Sequence, residues 1–328
     1  MAESDTTPSQ RMRPPPPPLY RNTGGEAAIR AVYDRLLAAL PYDHEQRLVQ
    51  TSFGTAHVLV CGPADAEPLV LWHGMGAPGP TMLEGFAPLI SRFRSYVPDM
   101  PYQGASRSED VLLDPSTHEH GKWALEVLQG LGLVPGDRQG NKGALSKGKG
   151  GVPPVPLHAG VSFGGAVLLD LANVAPEAIR GAALIVPGGL IPGSAWCMPC
   201  LLLPSMIYRL LPCSFTAWLA LVGMCDEPVP EQLELILLEW RYVAAHSPLP
   251  GGNAGFSKAQ LSRLTAPTIV IAAEKDVLWP GKAVAAAAEA SLPACKTMVI
   301  PGRHLPSRAK LAECMEEVLS FWAVSKLI

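Results

Sequence analysis

One segment limits what this chain can fold into more than any other. Residues 157–166 read LHAGVSFGGA and contain the pattern G-x-S-x-G, centred on Ser162. An apolar run over Val155–Ala159 precedes the serine and predicts a strand, and apolar residues recur at helical spacing from Val167 to Val174. The pattern therefore predicts a strand, a tight turn and a helix, with Ser162 in the turn.

A serine in such a turn is a candidate nucleophile, because the turn lifts its side chain clear of the sheet. Gly160 and Gly164 flank it, and side chains at these two positions would collide with the neighbouring strand and helix. The helix that begins at Phe163 adds its positive N-terminal end, and the backbone N–H of Phe163 is suited to hold a developing oxyanion. The alternative is a glycine-rich turn that arose by chance, and only partner residues in the right order can exclude it.

Two later residues supply that order. Asp276 lies just past the predicted strand Thr268–Ala273, and His304 lies just past the last predicted strand, Thr297–Ile300. A histidine can take the proton of a serine near neutral pH, and an aspartate can fix the tautomer of the histidine and stabilise its cation. Ser162, Asp276 and His304 are therefore the candidate catalytic residues, each at the carboxyl end of a strand.

A second backbone donor is predicted in the loop after an inner strand. The strand Pro68–Trp72 is apolar throughout and ends in HGMG at residues 73–76. This loop would lie beside the nucleophile, and the N–H of Met75 is our candidate for a second oxyanion donor, with that of Phe163 as the first. A simple His-Gly turn is the alternative.

Several further motifs accompany these residues. They are TSFGTAHV at 51–58, the CGP turn at 61–63, LWHG at 71–74 and the loop at 99–106. Together with the serine turn, Asp276 and His304, they resemble the α/β-hydrolase superfamily, and more closely the bacterial carboxylesterases of the NP type. The resemblance runs from about residue 31 to the C-terminus. One departure is Tyr102, which stands where that family usually has glycine.

The resemblance implies the α/β-hydrolase fold, a mostly parallel eight-stranded sheet flanked by helices with a helical cap inserted after strand six. It also implies a serine hydrolase that cleaves a small to medium, largely apolar carboxylic ester through an acyl-enzyme. Ser162, His304 and Asp276 would then form the catalytic triad, and the N–H groups of Met75 and Phe163 the oxyanion hole. Thioesterase, lipase or acyltransferase activity would use the same groups, and a non-catalytic ligand-sensing protein could share the fold.

Composition and periodicity predict the domain organisation. We expect a disordered, proline-rich arm at 1–23, an α/β core at 24–187 and 266–328, a flexible Gly/Lys insertion at 136–154 and a helical cap at 188–265. Within the insertion, GALSKGKG at 143–150 resembles a phosphate-binding loop. We reject that interpretation, because Gly150 stands where a magnesium-binding Ser or Thr belongs and no apolar strand precedes the segment.

The predicted cap is unusually apolar. Its run Trp196–Met224 is interrupted by prolines and Arg209, which argues against a membrane span. We expect this apolar surface to line a pocket over Ser162, or to make weak contact with a membrane or lipid interface. Cys197 and Cys200 could be redox-active or half of a metal site, but we expect packed thiols because no second closely spaced pair exists.

Bulk composition excludes some classes of partner. A net charge of −3 argues against a nucleic-acid surface, and 48% hydrophobic residues fit a well-packed globular protein. Seven cysteines with no secretory signal ahead of them suggest a reducing compartment, so we expect a cytoplasmic protein. We expect no cofactor and no metal, and a small-molecule ester as the partner. The sequence leaves the oligomeric state open.

Overall fold

The computed structural model describes residues 15–136, 154–227 and 230–328. Most of the proline-rich arm and nearly all of the Gly/Lys insertion, with its loop at 143–150, lie outside the described residues. The strands are β1 (His44–Thr51), β2 (Gly54–Cys61), β3 (Pro68–Trp72), β4 (Arg94–Pro98), β5 (Leu157–Val161), β6 (Gly181–Ile185), β7 (Thr268–Ala273) and β8 (Cys295–Ile300).

These strands form one sheet in the order β1-β2-β4-β3-β5-β6-β7-β8. The pairings of β2 with β1 and with β4 are antiparallel, and every other pairing is parallel. The predicted mostly parallel, eight-stranded sheet is therefore confirmed. β3 lies between β4 and β5, so the chain leaves β3 toward one edge and later returns on its other side. Such a switch in strand order opens a crevice at the carboxyl ends of the strands, where ligands bind in folds of this type.

Helices cover both faces of the sheet. They are α1 (Thr23–Ala38), α2 (Gly79–Gly85), α3 (Ala87–Ile90), α4 (Glu119–Gly130), α5 (Phe163–Val174), α6 (Leu203–Leu210), α7 (Ser214–Leu221), α8 (Pro230–Tyr242), α9 (Lys258–Leu261), α10 (Gly281–Ser291) and α11 (Arg308–Val324). Side chains of β3 alternate between the two faces. Val70 and Trp72 join the apolar core under α4 and α5, whereas Leu69 and Leu71 join the core under α2 and α11.

The segment between β6 and β7 is helical, as the fold prediction required. It contains a π-helical turn at Met198–Leu202 and the helices α6, α7, α8 and α9. We call residues 188–265 the cap segment; these two boundaries remain a prediction. None of the helices in the described part of the chain is both long and apolar enough to span a lipid bilayer.

The structure corrects the prediction for the arm. We predicted disorder over 1–23, yet the part of the arm that the structure describes packs against the core. Leu19 is buried at 4% exposure, and Tyr20 forms a β-bridge with Val243 just past α8. The reason is apolar burial, since Leu19 shares a cluster with Ile29 of α1 and Leu235 of α8.

Three predicted element boundaries also move. The sequence predicts one helical stretch near Met82–Phe93, and the structure divides this region into α2 and α3, because Pro88 near the start of α3 cannot continue a preceding helix. β5 begins at Leu157 rather than Val155, after Pro156, which lacks an N–H for the ladder. β8 begins earlier than Thr297, at Cys295, because its pairing with β7 extends to that residue.

Candidate active site

Ser162 lies in the sharp turn between β5 and α5. Its backbone has φ 53° and ψ −114°, a conformation that an L-residue adopts only under strain. The Ser162 N–H donates to the carbonyl oxygen of Ile185 on β6 at 3.0 Å, which ties the turn to the sheet. The side chain is 9% exposed and borders a cavity.

The glycines of the turn are required by close backbone approach. A Cβ atom at Gly160 would lie 2.6 Å from the carbonyl oxygen of Gly164, and one at Gly164 would lie 2.0 Å from that of Trp72. Both distances are shorter than real Cβ contacts, so side chains there would push α5 away from β3 and β5. The sequence-based prediction that side chains at these two positions would collide with the neighbouring strand and helix is therefore confirmed.

The structure brings the three predicted catalytic residues together. Nε2 of His304 lies 2.9 Å from Oγ of Ser162, and Nδ1 of His304 lies 2.7 Å from Oδ2 of Asp276. The other carboxylate oxygen of Asp276 accepts hydrogen bonds from the N–H groups of Leu278 and Trp279 at 2.8 and 3.2 Å. Because Asp276 accepts from Nδ1–H, the opposite ring nitrogen of His304 is free to accept from the serine hydroxyl.

The two predicted oxyanion donors both lie beside Ser162. Phe163 is the first residue of α5, and Met75 belongs to the loop after β3. A Cβ atom at Gly74 would lie 3.5 Å from the Cβ of Ser162, so this loop runs directly beside the serine. Within the ranges that the structure describes, neither N–H donates to a backbone or side-chain acceptor, and both residues line the cavity.

His73 has a structural role. The sequence left open whether the His-Gly pair is a simple turn or part of the oxyanion loop. It is 1% exposed, its Nδ1 lies 2.8 Å from the carbonyl oxygen of Gly74, and its Nε2 accepts from the N–H of Met100 at 2.9 Å. Burial lowers the pKa of His73, which keeps the ring neutral. The ring thus fixes the carbonyl of Gly74, next to Met75, against the loop after β4.

Asp99 organises the loop after β4, although no individual role was predicted for it from the sequence. The carboxylate is fully buried and accepts from Tyr33 Oη at 2.8 Å, from the Nδ1 of His57 at 3.0 Å and from the N–H of Gly79 at 3.0 Å. These three donors and the N–H of Arg107, at 3.3 Å, compensate the cost of burying a charge. The position of Asp99 directly after a buried strand was the only signal in the sequence that could have indicated its role in the loop.

The backbone and contacts of Tyr102 account for its presence at a position where the resembling family usually has glycine. Its φ is 56°, in the left-handed region that favours glycine, which accounts for the glycine usually present in the resembling family. The tyrosine is 1% exposed, and its hydroxyl donates to the carbonyl oxygen of Pro17 at 2.9 Å. The side chain that replaces glycine here therefore binds the end of the proline-rich arm.

A cavity of about 410 Å³ lies over Ser162. Its lining is mostly apolar and comes from both the core and the cap segment, including Met82, Phe86, Leu201, Leu202, Ile236, Trp240 and Leu278. Two buried polar atoms of the lining have no hydrogen-bond partner among the described residues, Oε1 of Glu239 and Nε1 of Trp279. The sequence did not single out Glu239.

The cysteines in the cap segment are free thiols. Cys197 borders the cavity, and burial raises its pKa, which disfavours the reactive thiolate. In the described part of the chain, no three or more His, Cys, Asp or Glu side chains are grouped to hold a metal ion.

Comparison with known proteins identifies the family of this chain. Residues 69–317 match the α/β hydrolase family. The chain belongs to the α/β hydrolase family. The match covers every strand from β3 to β8 and all three residues that meet at the serine turn.

Several similar proteins are carboxylesterases of Bacillus subtilis. Carboxylesterase YbfK of strain 168 is 26% identical over 155 residues, which is 47% of this chain and 45% of that protein, so the alignment spans less than half of the relative. The crystal structure of naproxen esterase, carboxylesterase NP, from B. subtilis superposes with a TM-score of 0.73 at 20% identity, covering 92% of this chain and 99% of that one. Carboxylesterase CesB (YbfK) from the same organism gives 0.70 at 19% identity, over 91% and 98%.

Proposed function

We propose that this protein is a serine carboxylesterase that acts through Ser162, His304 and Asp276. The observation that supports the proposal is the unbroken hydrogen-bond chain from Asp276 through His304 to Ser162, which ends at the wall of a mostly apolar cavity. A nucleophile, a base and a residue that orients the base are the groups that acyl transfer requires.

In the first half of the reaction, His304 Nε2 takes the proton of Ser162 as Oγ attacks the ester carbonyl carbon. Negative charge then develops on the carbonyl oxygen, and the N–H groups of Phe163 and Met75 are placed to stabilise it. The imidazolium of His304 is stabilised by Asp276 and passes its proton to the leaving alcohol. The product is an acyl-enzyme on Ser162.

In the second half, a water molecule replaces the alcohol. His304 takes a proton from the water, the resulting hydroxide attacks the acyl carbonyl carbon, and the same two N–H groups stabilise the second tetrahedral intermediate. Return of the proton to Oγ of Ser162 breaks the acyl bond. A carboxylic acid leaves, and the free serine is restored.

The cavity supports a small to medium, largely apolar ester. About 410 Å³ is at the lower end of sites for small molecules, and its lining is mainly Leu, Met, Phe and Trp. Each methylene that becomes buried contributes about 0.8 kcal/mol at best. We therefore expect kcat/KM to rise severalfold from acetyl to butyryl or hexanoyl esters and to fall once the chain exceeds the cavity.

Replacement of Ser162 by alanine tests the proposal. Turnover of p-nitrophenyl butyrate should fall by about four orders of magnitude or more, and labelling by a fluorophosphonate probe should be lost. Ser262→Ala, which changes an exposed serine, is the matched control and should keep both activities. Undiminished turnover in purified Ser162→Ala would contradict the proposal. Labelling of the wild-type protein without turnover of any ester or thioester would favour a ligand-sensing protein instead.

A second candidate, action at a lipid–water interface, is favoured by one observation. The exposed face of the cap segment, which we call the apolar face, has ten large hydrophobic side chains that are 38% to 76% exposed. They are Trp196, Met198, Leu202, Leu203, Met206, Leu210, Leu211, Phe215, Trp218 and Val222. Leu202 also lines the cavity, so the apolar face continues to the edge of the site. Apolar surface of this kind binds interfaces in other proteins.

A further inference from the structure

Glu239 is a carboxylic acid inside the cavity that the proposed mechanism does not use. It lies on α8 in the cap segment, is 3% exposed and lines the same cavity as Ser162 and His304. Its position is the point where the cap segment touches the loop that bears Met75. A buried carboxylic acid with no ion pair is rare, because burial removes the water that would solvate its charge.

Two loops of the core lack side chains where they meet this carboxyl group. A Cβ atom at Gly76 would lie 2.3 Å from Oε2 of Glu239, and a Cβ atom at Gly104 would lie 3.1 Å from Oε1. Gly76 follows Met75 directly, so the carboxyl group lies against the predicted oxyanion loop. At Gly76 the carboxyl group occupies the space that a side chain would fill, and at Gly104 it shares that space with Val243 of the cap segment.

One oxygen of the carboxyl group remains available. Among the described residues, Oε1 has no hydrogen-bond partner and no cation pairs with Glu239. Burial raises the pKa of Glu239 to about 7, which a hydrogen bond from the Ala105 backbone partly opposes. His246 also faces the cavity, but burial lowers its pKa, so it does not supply a compensating cation.

The ionised form of Glu239 would conflict with the chemistry unless a donor arrives. An ionised carboxylate beside the oxyanion loop would repel the negative charge that develops on the substrate carbonyl oxygen. A hydrogen-bond donor on the substrate would satisfy Oε1 and reduce that repulsion at the same time. Sites built around a buried acceptor reject substrates that leave it unpaired.

We propose that Glu239 binds a hydrogen-bond-donating group of the substrate, a hydroxyl or an ammonium, and makes the enzyme selective for esters that have one. The proposal rests on the proposed esterase function and names its substrate class. The donor group can belong to the acyl chain or to the alcohol.

Matched esters test this selectivity. We would measure acid release from methyl butyrate, methyl 3-hydroxybutyrate and methyl 3-aminobutyrate, and from propyl butyrate and 3-hydroxypropyl butyrate. The quantity of interest is the ratio of kcat/KM for each ester with a donor to that for its plain counterpart. Glu239→Leu should lower at least one of these ratios by about tenfold or more, because a hydrogen bond to a buried charged group is lost. The pair of esters that responds identifies the side of the substrate that reaches Glu239.

A second variant separates the two kinds of donor. Glu239→Gln keeps an acceptor oxygen but removes the charge, so the ratio for the ammonium ester should fall further than the ratio for the hydroxyl ester. Glu234→Leu and Glu234→Gln are the controls, since Glu234 lies on the same helix, is 46% exposed and pairs with Arg35 outside the cavity. Both controls should leave every ratio within about twofold of wild type.

The failure of this proposal differs from the failure of the esterase proposal. Absence of Ser162-dependent turnover on all five esters would overturn the esterase function. Normal turnover with ratios that Glu239→Leu does not lower would overturn the role of Glu239 alone. A binding readout checks the same point without chemistry: calorimetry on Ser162→Ala should show tighter binding of the donor-bearing ester that responds, and Glu239→Leu in that background should remove the difference.

Discussion

Two tryptophans show how differently the core and the cap segment are built. Trp322 on α11 is fully buried and packs edge-on against Phe93, with 5.8 Å between the ring centroids. Trp218 on α7 is 58% exposed and stacks on Phe215, which is itself 67% exposed. The first ring stabilises the fold by leaving water. The second gains little from folding, so its apolar surface remains available for binding.

Two buried polar side chains, one from the core and one from the cap segment, also differ. In the core, His158 on β5 is fully buried, and both ring nitrogens are bonded, Nδ1 to Trp72 Nε1 and Nε2 to the carbonyl oxygen of Ala178, each at 3.1 Å. In the cap segment, Glu239 is almost as buried and has an unpaired oxygen. The ring of His158 is fully paired without a ligand, whereas Glu239 retains an oxygen that a ligand could satisfy.

Truncating the two tryptophans should give the largest difference in stability. Trp322→Ala should cost about 3 to 5 kcal/mol of unfolding free energy, because it removes a fully buried ring and leaves a cavity. Trp218→Ala should cost less than about 1 kcal/mol, because most of that ring is already in water. Urea denaturation followed by circular dichroism measures both. Equal losses would mean that the apolar face is covered in solution and that the comparison is wrong.

Two glycines extend the comparison to the backbone. Gly164→Ala should destabilise the protein by about 3 kcal/mol, since the new Cβ atom would meet the backbone of Trp72 at 2.0 Å, and it should also displace Ser162 and reduce turnover. Gly193→Ala in the cap segment meets nothing within 4 Å and should be neutral or slightly stabilising. Thermal melting and p-nitrophenyl butyrate turnover measure the pair. A well-folded, active Gly164→Ala protein would show that the turn tolerates a side chain.

The pKa of Glu239 is expected to differ from that of exposed carboxylates, which makes stability depend on pH. The folded protein keeps Glu239 protonated to about pH 7, whereas the unfolded chain releases the proton near 4.5. Wild-type stability should therefore be greatest below the unfolded pKa and should fall as the pH rises to about 7. Glu239→Gln cannot titrate, so its stability relative to wild type should improve by about 2 to 3 kcal/mol between pH 5 and pH 8. Urea denaturation at both values measures this, with Glu234→Gln as the control. A pH-independent difference would contradict the burial of an ionisable Glu239.

The smallest change in stability is expected on the apolar face. The double variant Phe215→Ser, Trp218→Ser should alter the unfolding free energy by less than about 1 kcal/mol and leave turnover of dissolved acetate and butyrate esters unchanged. If the apolar face binds lipid, wild-type rate should jump when the substrate passes its solubility limit, and the double variant should lose that jump. A jump that survives the double variant would place interface binding elsewhere.

The sequence could predict those parts of the site that depend on local pattern. The serine turn is a local event, because strand, glycines and helix follow one another within about twenty residues. Asp276 and His304 were predictable for a related reason: parallel strands end at one edge of a sheet, so residues just past them meet once the strand order is known. The outer boundaries of strands and helices were less predictable, since pairing partners and prolines decide them.

Other features depend on which distant segments touch. Leu19 was predicted to be part of a disordered arm, because no nearby sequence pattern indicates that it packs against α8. Tyr102 was visible only as a departure from a family pattern, and its backbone geometry and its bond to Pro17 required the folded chain. Glu239 occurs in a helix with ordinary charged spacing, and only its packing against Gly76 distinguishes it from Glu234.

The sequence by itself thus determined the fold class, the serine turn and the chain order of the three residues that meet there, because each is encoded by short-range periodicity or by strand ends. The tertiary structure alone decided which carboxylates are buried, which apolar side chains of the cap segment remain in water and which loop the cap segment closes against. The physical reason is that burial and desolvation are properties of neighbours in space, and α8 meets the loop at Gly76 from a position more than 150 residues further along the chain.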